Sequence, residues 1–291
     1  MDRRRFSPKR NMVNKKFNVL IVFAVISSLV LSTCVTDTKP TQPEDPEPSE
    51  DSQQALEHVL KDLPEGPTIA ELQGAGHHSP YRNEFVENVV GIVTTFSGTG
   101  FYIQSIEPDN DPATSEGIFI SKPGLQQVKP GDVVVVSGKV IERYPDGGQG
   151  GLSITEITYT EYEIVSSGNL LPEPVLLGGE GRQIPTQIID DDQLRTFDPQ
   201  NDGLDFFESL ESMLVQLHDP VAVAGINKYR ELALAVDEGT TATGLSERGT
   251  LVIQEDDYNP ERILVDDAFR SLPGDIPTGS RPVGALIGVI D

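Results

Sequence analysis

Between positions 88 and 165 the chain passes through five stretches rich in β-branched and aromatic residues, each bounded by Gly, Pro, Asp or Asn. This pattern predicts β-strands and turns and leaves little room for helices. The stretches are 88–96 ("NVVGIVTTF"), 100–105, 117–121, 132–143 ("DVVVVSGKVIER") and 153–165 ("SITEITYTEYEIV"). A "KPGD" turn leads into the fourth, and the glycine cluster "PDGGQGG" at 145–151 separates the last two. Gly91 and Gly138 fall in mid-strand, where a small closed sheet must bend or bulge. The expected fold is mainly β: an OB-fold-like five-stranded barrel over 67–168. Such barrels bind oligonucleotides or oligosaccharides on the face of their second and third strands. An immunoglobulin-like sandwich, the main rival, needs about seven strands.

Residues 169–291 read as a second β-rich segment with one short helix. Asp205 is placed to cap that helix, with Glu208 three residues on and Phe206, Leu210 and Met213 along one face. "MLVQLHDPVAVAGI", "ELALAV", "GTLVIQ" (249–254) and "RILVDD" (262–267) read as strands, and "RPVGALIGVID" as the opening of a further β segment. A short helix is expected at 55–63.

The N-terminal region follows different rules. An apolar stretch at 17–31, too short for a full membrane span of about 20 residues, follows a basic lead-in and ends in "LSTC". That is the export-leader pattern, with Met12 a second candidate start. Three outcomes fit it. Cys34 becomes a lipidated N-terminus, the leader is cleaved to release a soluble form, or the leader stays as an uncleaved anchor. "LSTC" resembles the lipobox of bacterial lipoproteins, although Thr33 stands where a small residue is usual. Residues 1–34 are thus a signal peptide and lipobox, and 35–66 a Pro- and acid-rich disordered linker. The expected location is exported, at the cell surface or extracellular, with membrane contact only through the anchor. Cys34 is the single cysteine, so an exported fold must stand without an internal disulfide.

Charge limits the choice of partner. Of 46 acidic residues only Asp2 precedes Cys34, against seven of 22 basic ones, leaving 45 acids and 15 bases beyond it. Such a body repels polyanions at long range. Nucleic-acid binding, whose affinity rests largely on phosphate contacts, would be weak and cation-assisted. Its contact residues would be Tyr102 and Phe119, on the side of strands two and three opposite Phe101, Ile103, Ile118 and Ile120, where aromatic rings can stack bases. Lys139 and Arg143 on strand four would meet phosphates.

Two acidic loops carry oxygens at alternating positions suited to Ca²⁺: Glu107, Asp109 and Asp111 in "EPDNDPATSE", and Asp198, Asp202 and Asp205 in "DPQNDGLD". The same residues favour turns for purely local reasons. His77 and His78 adjoin each other in a Gly-rich loop, but no HxxxH, HxH or CxxC spacing supports zinc, and no Gly-x-Ser-x-Gly elbow or phosphate loop occurs. No catalytic residue is therefore assigned.

Five phrases, "IAELQGAGHHSPY", "GFYIQSIEPDNDPATSEGIFIS", "GDVVVVSGKVIE", "DGLDFFESLESMLVQL" and "YNPERILVDD", occur in this order. Over 68–291 the chain resembles the N-terminal, non-catalytic region of secreted bacterial nucleases of the endonuclease/exonuclease/phosphatase superfamily. The resemblance implies an OB-fold-like domain, further β structure, and a metal-dependent phosphodiesterase domain beyond residue 291. The implied function is an accessory region of an extracellular nuclease, binding DNA or RNA or supporting a nuclease catalytic domain. A carbohydrate-binding module or a purely structural surface lipoprotein is the alternative.

Overall fold

The computed structural model describes residues 20–23, 60–61, 63–124, 127–145, 151–266 and 271–291. Cys34 and most of the leader and linker lie outside the described residues, as do 55–59 and 62 of the helix expected at 55–63. No helix among the described residues is long and apolar enough to cross a membrane.

The chain is mainly β. A first strand, β1 (Leu20–Phe23), is followed by a short helix, α1 (Ile69–Gln73), and then by β2 (Phe85–Phe96), β3 (Gly100–Gln104), β4 (Gly117–Ser121), β5 (Val133–Arg143) and β6 (Ile154–Ser166). These last five close into a barrel in the order β2-β3-β4-β6-β5. All barrel pairings are antiparallel except β4 with β6, where Phe119 faces Glu156 and Ile120 faces Ile157. The count and closure match the OB-type barrel expected from the pattern.

The mid-strand glycines explain the closure. A Cβ on Gly138 would stand 2.6 Å from Ile157 Cγ2, and Gly138 sits where the β5–β6 register shifts. A Cβ on Gly91 would come within 3.0 Å of Ile103 Cδ1. Fully buried Phe101, Ile103, Ile118, Ile120 and Ile157 fill the barrel interior, each contributing roughly 1.5–3 kcal/mol of burial.

α1 closes one end of the barrel. Its capping box is complete: Thr68 Oγ1 accepts from Glu71 N, and Glu71 Oε2 accepts from Thr68 N. This Thr-x-x-Glu signature stood in the sequence but was not read there as a helix start.

The second unit contains β7 (Val175–Leu177), α2 (Gly203–Glu208), β8 (Leu214–Leu217), β9 (Val221–Ala222), β10 (Leu232–Ala235), β11 (Ile263–Val265) and β12 (Leu286–Ile290). With β1 they form a seven-stranded mixed sheet ordered β7-β8-β12-β1-β11-β10-β9. On one face Phe206, Phe207 and Leu210 pack with Val215, Leu217, Leu234, Ile263, Val265 and Ile290. The alternate residues Leu214 and Val289 point the other way, to the barrel.

Two expectations need correction. α2 starts at Gly203 behind Asp202, so Asp205 is no cap; it lies inside the helix and is buried. Residues 249–254 form no strand, only isolated bridges between Leu245 and Leu251 and between Gln254 and Asp257. Leu20–Phe23, which fall within the stretch read as a leader, pair as a strand in the middle of the second sheet.

Candidate functional site

The expected stacking face of the barrel is where the two units meet. Tyr102 and Phe119 are register partners on β3 and β4, with ring centroids 4.8 Å apart. Both turn away from the barrel core as the alternation requires, yet they are only 4% and 3% exposed. Ile154, Leu214 and Val289 cover them, with Leu171 and Ile287 at the rim. The Tyr102 hydroxyl donates to Asp291 Oδ1 at 2.8 Å. Burial first, then the Asp291 charge, pushes its phenol far above the ordinary range. The residues expected to stack bases are therefore packed inside the protein, and no base reaches them in this arrangement.

Polar groups line the same seam. Gln73, from the capped helix, donates through Nε2 to Gly117 O (2.6 Å) and to Glu211 Oε1 (3.0 Å). Thr155 N donates to the same Glu211 oxygen at 3.0 Å, and Ser115 Oγ donates to Glu211 O at 2.5 Å. Gln104 Oε1 accepts from Leu214 N at 2.9 Å. Gly117 permits this closeness, because a Cβ there would lie 2.3 Å from Ser212 C. Ser212 itself turns the chain at a left-handed φ of 61°, and its N–H donates to Ile290 O.

Glu211 is fully buried between the units. Loss of water raises its carboxyl to about 8, against the hydrogen bonds from Gln73 and Thr155 that favour its ionised form; the charges of Glu142 and Asp291 add to the rise. Burial first, then Glu211, Glu142 and Asp205, raises Glu208 well above the carboxylate range too. Glu142 accepts from Ser153 Oγ (2.6 Å) and Ser79 N (2.8 Å). His77 Nε2 stands 2.6 Å from Asp205 Oδ1, and His78 Nδ1 is 3.8 Å from Glu142 Oε2. The adjacent histidines thus serve opposite ties: His77 reaches the second unit and His78 stays on the barrel.

Arg143 lies at the rim, with Nε 2.6 Å from Glu156 Oε2 and its guanidinium 5.8 Å from the Phe119 ring centroid. Lys139 is half-buried, facing Phe85 and Thr158 across the ladder. Among the described residues the exposed aromatic rings on the barrel strands are Phe85, Phe96 and Tyr159, which sequence reasoning did not single out.

Most carboxylates of the two acidic loops accept hydrogen bonds from their own loop. Asp109 Oδ1 accepts from Asp111 N (2.7 Å), Asp111 Oδ1 from Ala113 N (2.9 Å), and Glu116 Oε1 from Asp109 N (2.5 Å); Glu107 is exposed. In the other loop Asp198 accepts from Gln200 N and Asn201 Nδ2, while Asp205 Oδ2 accepts from Asp198 N at 2.6 Å. Burial, then Asp191, Asp205, Asp198 and Asp190, raises Asp202 to about 6. Among the described residues no group of three or more His, Cys, Asp or Glu is arranged to hold a metal ion.

Gln73, Gln104 and Glu211, which tie the seam together, were not singled out from the sequence. Their signal was slight: a Glu inside the apolar run "SLESML", and a Gln sharing the outer side of its strand with Tyr102.

Comparison with known proteins adds one match. The family model of a domain of unknown function (DUF8508) covers residues 176–291, which take in most of β7 and all later elements of the second sheet. No curated protein matches the chain. No solved structure matches it.

Proposed function

We propose that this chain is an exported accessory module of an extracellular nuclease and that it acts as a rigid platform rather than as a base-stacking surface. One observation supports the platform form: Tyr102 and Phe119 are sealed beneath β8 and β12. The expenditure of polar ties at that seam, from Gln73, Gln104, Thr155 and Ser115, supports it further. A joint held by buried hydrogen bonds as well as apolar packing fixes one orientation of the two units. The excess of acid over base agrees with a module that does not hold a polyanion itself. The nuclease context rests on the five sequence phrases.

The test is fluorescence anisotropy with a labelled oligodeoxythymidine at low salt, with and without Mg²⁺ or Ca²⁺. The platform reading expects no saturable binding that depends on Tyr102 or Phe119. Saturable binding lost in a folded Tyr102→Ala, Phe119→Ala double variant overturns it.

A further inference from the structure

The second sheet is completed by a strand from far away in the chain. β1 lies between β12 and β11: Ile21, Val22 and Phe23 pair antiparallel with Ile290, Val289 and Gly288, and Leu20 and Ile21 pair parallel with Leu264 and Val265. Every other strand of that sheet comes from 175–290. Without β1 the sheet divides into β7-β8-β12 and β11-β10-β9. The facing edges would then lie two strand spacings apart, about 9.5 Å, leaving room for one strand.

Those edges cannot stay bare at low cost. With β1 in place Ile263, Val265, Val289 and Ile290 are at most 4% exposed, so its loss would uncover apolar surface and leave a row of unpaired backbone groups along both edges. The flanking strands also fix the chemistry of the occupant. Alternate residues of β11 and β12 enter apolar clusters on both faces of the sheet, Ile263, Val265 and Ile290 on one and Leu264 and Val289 on the other. A strand between them must be uncharged at every position. "LIVF" meets that rule, but it belongs to a stretch with the composition of an export leader, and processing ahead of Cys34 would remove it.

We propose that the gap between β11 and β12 is a strand-acceptor site, filled before processing by Leu20–Phe23 and afterwards by an extended, apolar, β-branched segment of a partner polypeptide. The incoming segment runs antiparallel to β12 and parallel to β11. Its main-chain hydrogen bonds supply affinity and its apolar side chains supply selectivity, as in strand-addition recognition generally.

The experiment uses the full chain carrying Ile21→Pro and Val22→Pro, which removes two ladder donors from the resident strand. A soluble peptide of residues 16–27 with a lysine tag is added in trans, beside the same peptide bearing both prolines. The expected result is saturable one-to-one binding of the first peptide. A rise in melting temperature toward wild type and restored amide-exchange protection at 263–265 and 286–290 accompany it, with affinity for the proline peptide lower by about tenfold or more. Equal binding of the two peptides overturns the proposal by showing a non-specific apolar surface. No rescue by the first peptide overturns it too, as does a variant already as stable and as protected as wild type, because the gap then needs no strand. Barrel amides report separately whether the rest of the chain is folded. A dimer of the wild-type chain that dissociates when the peptide is added makes a second copy the donor and overturns the heterologous partner.

Discussion

Replacing Glu211 by Gln tests the buried seam through its pH dependence. The substitution keeps an oxygen to accept from Gln73 Nε2 and Thr155 N but removes the ionisation. In the native protein burial raises this carboxyl from 4.5 to about 8. At about 1.4 kcal/mol per tenfold change in proton affinity, that rise amounts to an upper bound of roughly 5 kcal/mol. Because the folded-state value lies above the unfolded one, the stability tied to the neutral carboxyl is fully present below about pH 4.5 and is lost progressively as pH rises to about 8. Glu208, raised by burial and by Glu211 itself, moves in the same direction, so removing the Glu211 charge eases both. Urea denaturation of wild type and Glu211→Gln from pH 5 to 9 reads the difference. The variant is expected within about 1 kcal/mol of wild type at pH 5 and more stable by roughly 2–5 kcal/mol at pH 9. A variant destabilised by the same amount at every pH would refute the reasoning, because Glu211 would then act as an ordinary hydrogen-bonded carboxylate.

Further outcomes follow from the same contacts. Gly117→Ala puts a Cβ 2.3 Å from Ser212 C and should cost roughly 1–3 kcal/mol as overpacking, with faster amide exchange at Leu214 while the barrel amides stay protected. Tyr102→Phe removes the donor to Asp291 and should lower stability by about 1 kcal/mol. In wild type, absorbance titration should find Tyr102 still protonated when exposed tyrosines have ionised. His218 Nδ1 lies 2.6 Å from Asp237 Oδ1, a hydrogen bond that raises its pKa. NMR titration should therefore place His218 above an ordinary histidine, and Asp237→Asn should bring it down. Its contribution to stability is present below the ordinary histidine value and fades as pH rises through the folded one.

How much of this was legible in the sequence follows from what each signal depends on. The barrel strands were readable because alternation and β-branching are local; the stretch 117–121 matches β4 residue for residue. The direction of Tyr102 and Phe119 was readable for the same reason, since Phe101 and Ile103 had to point the other way. What lay beyond that outer side was not readable. An aromatic pair on the outside of a barrel looks the same in sequence whether it meets solvent or Leu214 and Val289, more than ninety residues away. The helix start failed by three residues because two aspartates, Asp202 and Asp205, each suit a cap, and burial near His77 claims the second. The stretch 249–254 has strand composition but finds only isolated bridges. The central place of Leu20–Phe23 in the second sheet depends on pairing with residues some 240 and 270 positions away, which no local pattern encodes.

The central claim is that the β3–β4 face is closed by the second unit, and residue-resolved hydrogen exchange tests it most directly at the amides of Leu214 and Thr155. Each donates across the seam, to Gln104 and to Glu211. The account predicts that both exchange as slowly as the barrel ladder. If both exchange orders of magnitude faster while the barrel stays protected, the units part in solution, Tyr102 and Phe119 stand open, and the account is contradicted.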